Sequence, residues 1–239
     1  MTKVEAIVEV LKENGGAASW RHIYDNIEKY YPAAKASENW EAGIRGVLYR
    51  EIKDDKLFKK VGLGVFALKE YAEEKVVHEI TDNPIKKHAY IESLLVEIGN
   101  NEDYDTYCAD PSALYRPGVP VSELTTVKDF PVFTYPAINA IAKRIDVIWF
   151  PKNGYLFPKK VIEVVDSIST LTNSLQRMYQ LKDFHTDFIV VAPSEYIQKV
   201  RSALTVEPYR SVPERFTVRS YEEIETQHKH LLAAREFEF

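Results

Sequence analysis

Two short apolar runs, IDVIWF (Ile145 to Phe150) and KVIEVV (Lys160 to Val165), constrain the fold of this chain more than any other stretch. Both are rich in β-branched and aromatic residues, which suit a pleated sheet. Pro151, Asn153, Gly154 and Pro158 between them carry turn chemistry, so the runs are expected to form a hairpin. Leu171, Leu175, Met178 and either Leu181 or Tyr179 then recur at helical spacing. Each strand carries one acid, Asp146 in the first and Glu163 in the second. A buried, unpartnered carboxylate is costly, so each must meet a cation, a metal or water, or take up a proton. Asp146 and Glu163 could converge on one divalent ion, since hard cations take oxygen ligands. The alternative is a structural network in which Arg144, Arg177 or Lys160 neutralises them.

The first third of the chain reads differently. Val4, Ile7, Val8 and Leu11 share a helical face that Asn14-Gly15-Gly16 stops. Ser19 caps a second helix through Trp20, Ile23, Tyr24 and Ile27, closed by Tyr31-Pro32. A third is expected from near Ser37 through Trp40, Ile44, Val47, Leu48 and Ile52, followed by two short strands around Gly62 and Gly64. The Gly62-x-Gly64 pair opens no helix, so it is no phosphate loop.

This order resembles a winged-helix domain like those at the ends of some restriction endonucleases and chromatin proteins. The residues that carry the likeness are Trp20-x-x-Ile23-Tyr24, Trp40 with Ile44-Arg45-x-x-Leu48, and Leu57-Phe58-x-x-Val61-Gly62-x-Gly64-x-Phe66-x-Leu68. It implies a third helix in the major groove and a wing on the backbone or minor groove of double-stranded DNA. The candidate contacts are Lys35, Ser37, Asn39, Trp40, Arg45, Tyr49 and Arg50, with Lys59 and Lys60 on the wing. Phosphate contacts supply affinity, while Asn39 or Arg45 can read a base edge. Glu38, Glu41, Glu51, Asp54 and Asp55 interleave with these bases, and the whole chain carries −5 with a pI near 5.8. Any DNA surface is therefore a local patch, and a winged helix that binds protein or packs on its own chain is the competing reading.

Asp82-Asn83-Pro84 marks a break. We expect a winged helix over residues 1–78, a linker over 79–86 and a second domain over 87–239. That domain opens with a helix whose core face is Ile91, Leu94, Leu95 and Ile98, and continues with a strand from Tyr104 to Ala109. The stretch from Asp110 to Asn139, with Pro111, Pro117, Pro120, Pro131 and Pro136, is expected to be mostly irregular and to serve as a substrate arm or lid. DFIVVAP is a buried strand, followed by a helix from Ser194 to about Leu204, the strand ERFTVRS and a closing helix. The fold class is thus α/β (α+β), a winged helix followed by an α/β sandwich with a mixed central sheet.

Helix, strand, Asp-bearing strand, Glu-bearing strand and helix resemble the core of the PD-(D/E)XK nucleases, the restriction-endonuclease-like proteins. The matching residues are Asp146 in Arg144-Ile145-Asp146-Val147-Ile148-Trp149 and Glu163 in Val161-Ile162-Glu163-Val164-Val165-Asp166-Ser167. Leu95-x-Glu97-Ile98-Gly99, Leu175-x-Arg177-Met178-x-x-Leu181 and Val190-Val191-Ala192-Pro193 extend the likeness over roughly Lys87 to Leu204. The resemblance implies Mg²⁺ or Mn²⁺ on Asp146 and Glu163, with the carbonyl of residue 164 as a third ligand, and phosphodiester hydrolysis. It implies Lys or Glu two residues past the strand acid, where this chain has Val165. Asp166 points to the opposite face of a regular strand, so only a bulge or the strand's end turns it inward. The resemblance makes Gln176, Arg177 or Lys182 candidate substitutes for the missing group and Glu97 a candidate third acid, with Glu92 as its alternate and an exposed helix-face glutamate as the competing reading of Glu97.

The six histidines (His22, His78, His88, His185, His228, His230) show no metal-ligand spacing, Cys108 has no nearby base, and no Gly-Lys-Ser/Thr loop announces a nucleotide cofactor. The single cysteine suits a reducing compartment. The N-terminus has acids inside its apolar pattern and no apolar run reaches membrane length, so a cytoplasmic protein is expected. The leading expectation is a homodimeric restriction or defence endonuclease, acting on plain or modified DNA. The rival is a nuclease fold with a degraded site that acts as a DNA-binding regulator or assembly module, and a third possibility is a role in protein interaction alone.

Overall fold

The computed structural model describes residues 1–236 and shows a mixed α+β chain. Its first segment runs α1 (Lys3–Glu13), β1 (Ala17–Ser19), α2 (Trp20–Asn26), α3 (Trp40–Lys53), β2 (Phe58–Lys60) and β3 (Val65–Leu68). Thr2 and Glu5 close a capping box on α1, and the Ser19 hydroxyl accepts from the His22 N–H to start α2. The three strands make an antiparallel sheet in the order β1-β3-β2. Ala6, Ile7, Leu11, Ile23, Ile44, Leu48 and Phe66 form the core beneath it. The sequence predicts α3 from near Ser37, but regular helix begins at Trp40, and β1 is a strand beyond those expected.

The break signal falls between two helices. α4 (Glu73–Thr81) and α5 (Pro84–Asn101) are separated only by Asp82 and Asn83, whose side chain accepts from the Ile85 and Lys86 N–H groups to cap α5. The expected linker is therefore largely helical. Then come β4 (Tyr104–Cys108), β5 (Leu114–Arg116), β6 (Val119–Pro120), α6 (Val121–Leu124) and α7 (Pro136–Ala142). The proline-rich stretch is thus more regular than its sequence suggests, because Pro120 sits just ahead of α6 and Pro136 in the first turn of α7.

The remainder is β7 (Val147–Pro151), β8 (Lys160–Val164), α8 (Ile168–Tyr179), β9 (Asp187–Ala192), α9 (Ile197–Ala203), β10 (Phe216–Ser220) and α10 (Tyr221–Glu236). A five-stranded sheet has the order β10-β9-β8-β7-β4. β4, β7 and β8 pair antiparallel, while β8, β9 and β10 are parallel, so the sheet is mixed. Alternation assigns its faces. Val147, Trp149, Ile162 and Val164 pack toward α5 and α10, and Ile148, Phe150, Val161, Val165 and Val190 toward α8. Gly99 allows α5 to lie close on the sheet, since a Cβ there would come within 2.7 Å of Thr106 and Trp149. No helix among the described residues is long and apolar enough to cross a membrane.

Candidate metal centre

The acidic end of the sheet is built by the β7–β8 register. Val147 stands opposite Ile162, which brings Asp146, just ahead of β7, beside Glu163. Asp146 Oδ2 accepts from the Val164 N–H at 2.8 Å. The two acids expected to meet therefore do so, with a side-chain hydrogen bond between them, and each also reaches a different partner. Glu163 is fully buried and turns toward α8, where Arg177 Nε donates to its Oε1 at 2.8 Å and Nη2 to its Oε2. Burial pushes the Glu163 carboxyl up to about 8, with the Arg177 fork pulling against it and Asp146 adding to the rise.

Asp146 faces the first turns of α5. Ligand atoms of His88, Glu92 and Asp146 all lie within 4.8 Å of one another. His88 Nε2 is 3.4 Å from Glu92 and its Nδ1 is 3.5 Å from Asp166. Burial raises the carboxyls of Glu92 and Asp146, and each adds to or feels the charge of a neighbouring acid. Burial works against a charged His88, but Glu92, Asp146 and Asp166 outweigh it and hold the imidazolium up to about 9. His88 Nδ1 is buried and makes no hydrogen bond. An orphaned imidazole nitrogen beside crowded carboxylates is a donor set that fits a divalent cation. Imidazole with carboxylates suits Mn²⁺ better than an all-oxygen shell would, and Mg²⁺ less well.

A cleft of about 680 Å³ opens onto this cluster, lined by His88, Glu92, Asp146 and Asp166 with Lys86, Lys143 and Arg144. Those three cations are exposed, and their side chains make no ion pair or hydrogen bond among the described residues.

Several expected residues lie elsewhere. Glu97 does not join Asp146: it is buried against the Gly64 N–H, the Tyr115 hydroxyl and His228 Nε2. Its alternate Glu92 takes the place at the cluster. Gln176 is exposed on α8, Arg177 is occupied by Glu163, and Lys182 lies over the Tyr179 ring. Val165 is buried in the apolar layer under α8. Asp166 follows the end of β8 and turns toward His88, so the strand's end sets its direction. Spacing among the histidines alone does not single out His88; its spacing to Glu92, one helical turn, does.

In the first segment, Ser37, Asn39, Arg45 and Arg50 are exposed, and Arg45 donates to the Tyr24 hydroxyl. Tyr49 is half-buried against Trp20 and Phe66. Lys35 and Trp40 face a second cleft, which also runs along α2 and the end of α5. Lys59 is tied to the Tyr71 carbonyl and Lys60 is buried, because β2 alternates toward the core. The two wing lysines are therefore not free phosphate contacts.

Residues 70–238 match the family model described as the C-terminal domain of the type II restriction enzyme NmeDI. The chain belongs to that family and carries a restriction-enzyme-like domain. No curated protein and no solved structure matches it.

Proposed function

We propose that the protein is a metal-dependent DNA endonuclease of the restriction type, with its catalytic centre at His88, Glu92 and Asp146. The observation that carries this reading is the convergence of those donors, within 4.8 Å of one another, at the floor of a cleft rimmed by unpaired cations. We read the mixed sheet with Asp146 and Glu163 side by side as a PD-(D/E)XK core, and the first segment as a winged helix that holds duplex DNA through Ser37, Asn39, Arg45 and Arg50. Lys86, Lys143 and Arg144 orient the phosphodiester over the cleft. Asp146, Glu92 and a deprotonated His88 would hold the ion, with Asp166 beside the imidazole as an outer partner. Bound Mn²⁺ or Mg²⁺ supplies a water of lowered pKa and neutralises charge developing on the phosphate. Glu163 takes no part as a ligand while Arg177 holds it, and serves instead to fix Arg177 and the end of β8.

That sealed Glu163 also favours the second reading, a DNA-binding module whose site no longer cuts. Incubation with unmodified and methylated plasmids, with EDTA, Mg²⁺ or Mn²⁺, separates the two. Cleavage is expected with Mn²⁺ above Mg²⁺, to vanish with EDTA, and to fall at least about 100-fold in Asp146→Asn and Glu92→Gln. Tight binding with no cleavage of any substrate supports the module, and cleavage unchanged by either substitution sinks the proposed centre.

A further inference from the structure

We propose that the outer edge of β10 takes up an extended segment of a partner protein, added to the sheet as a further strand with an acidic side chain against Arg201. β10 ends the five-stranded sheet, and only β9 pairs with it among the described residues. The Ser220 N–H turns away from β9 to Glu223 Oε2 at 2.7 Å. Backbone groups of a strand alternate in direction residue by residue, so Val218 and Phe216 turn outward as well. The Phe216 N–H closes on the Pro213 carbonyl. That leaves the Val218 N–H, the Val218 carbonyl and the Phe216 carbonyl without a hydrogen bond among the described residues. A donor and an acceptor side by side on one residue are what the facing residue of an added antiparallel strand satisfies.

The opposite edge shows the contrast. On β4 the Thr106 N–H donates to the Thr126 hydroxyl at 2.8 Å, and the Thr126 and Val127 N–H groups donate to the Thr106 carbonyl at 3.1 and 2.9 Å. β10 has no such cover, and neither a proline nor a bulge turns another strand away. A groove of about 400 Å³ lies beside it on the α9 side, lined by Leu204, Pro213, Phe216 and Val218 with Arg201 and Arg210. The four apolar residues suit the alternate side chains of a strand laid along them. Arg210 is held by Glu207 at 3.0 Å, whereas Arg201 is exposed and its guanidinium makes no ion pair or hydrogen bond among the described residues. One free cation over apolar ground selects a carboxylate among apolar neighbours, not the phosphate run of a nucleic acid. A second copy of this chain is disfavoured, because β10 against β10 brings the same arginine-bearing face of two chains together. The site depends neither on the metal centre nor on cleavage of DNA.

The test is amide hydrogen exchange of the full isotope-labelled chain, read by NMR with and without a peptide. The probe is acetyl-Thr-Val-Thr-Glu-Thr-Val-Thr-amide, which puts its Val and Glu side chains on one face, and the control peptide carries Lys in place of Glu. The acidic peptide is expected to slow exchange at the Val218 amide and to bind about three- to tenfold more tightly than the control. Arg201→Glu should reverse that preference. Val218→Pro removes the outward N–H without touching the ladder to β9, so it should abolish binding of either peptide. If Val218→Pro does not fold, the reversal at exposed Arg201 still decides. No protection of the Val218 amide, equal affinity for the two peptides, or a preference unchanged in Arg201→Glu each overturns the proposal. A dimer of the chain alone that Val218→Pro splits would assign the edge to a second copy instead, and overturns it too.

Discussion

Arg177 makes two charge-assisted bonds to a carboxylate that solvent does not reach, and its own side chain remains about a quarter exposed, at 24%. Removing Arg177 leaves a buried carboxyl that must stay charged without compensation or take up a proton, while removing both partners leaves neither cost. Arg177→Met is therefore expected to destabilise the protein by about 3 kcal/mol in urea unfolding, and Glu163→Leu with Arg177→Met to recover most of that loss. A double substitution as unstable as Arg177→Met would show that the ion pair itself, and not the stranded charge, was responsible. The meeting of Asp146 and Glu163 was legible in the sequence, because two β-rich runs joined by a turn put their acids near one another. The turn of Glu163 toward Arg177 was one of several open pairings: Arg144, Arg177 and Lys160 are all near in sequence. The choice between them depends on which face of β8 lies under α8, a tertiary fact. Arg144 instead faces the cleft, and Lys160 reaches Glu102 at 3.5 Å.

At the scale of elements, α5 serves two places at once. Glu92 and Glu97 are five residues apart, which rotates them by about 140° around the helix. One therefore meets the metal cluster and the other the β2–β3 turn. α3 has a comparable division: Ile44 and Leu48 enter the core while Arg45 and Arg50 face outward. If that outer face holds DNA, Arg45→Ala and Arg50→Ala should each lower the slope of log affinity against log salt by about one. Lys59→Ala should leave the slope unchanged, since its ammonium is held by the Tyr71 carbonyl. Filter binding across a salt series measures all three. The long elements were legible because their apolar spacing repeats over several turns or pleats. β1, with the sequence Ala-Ala-Ser, and the two-residue β6 were not, because so short a run has no period and exists only through its partner strand.

Across the whole molecule, the first segment and the sheet domain share buried structure. Ala17, Val61, Val65 and Ala67 belong to the same apolar cluster as Ile91, Leu95, Val147 and Ile162. Glu97 sits at that junction with donors from Gly64, Tyr115 and His228. Burial works to raise its carboxyl, but His228 and the turn N–H groups prevail and hold it below the ordinary glutamate range. A depressed carboxyl contributes stability above its unfolded pKa and loses it as pH falls through the folded value. Glu97→Gln should therefore cost about 1–3 kcal/mol at pH 7, with the gap closing below about pH 4. Denaturant melts of both proteins across that range provide the measurement, and a gap independent of pH would contradict it. Gly62 enforces the same closeness, because a Cβ there would come within 2.8 Å of the Glu97 carboxylate.

This shared junction bears on how the protein can be divided. Arg116 is 2% exposed, and two of its partners, the Val61 carbonyl and the Tyr115 hydroxyl, lie on either side of the boundary at residue 70. A polypeptide trimmed to the family-matched residues would strip that guanidinium of its Val61 acceptor and uncover the apolar flank of α5. Expressed alone, residues 70–239 should bind hydrophobic dye and aggregate, whereas the intact chain should melt in one transition and resist proteolysis at Asp82-Asn83. The natural seam for cutting this protein is not where its sequence similarity begins.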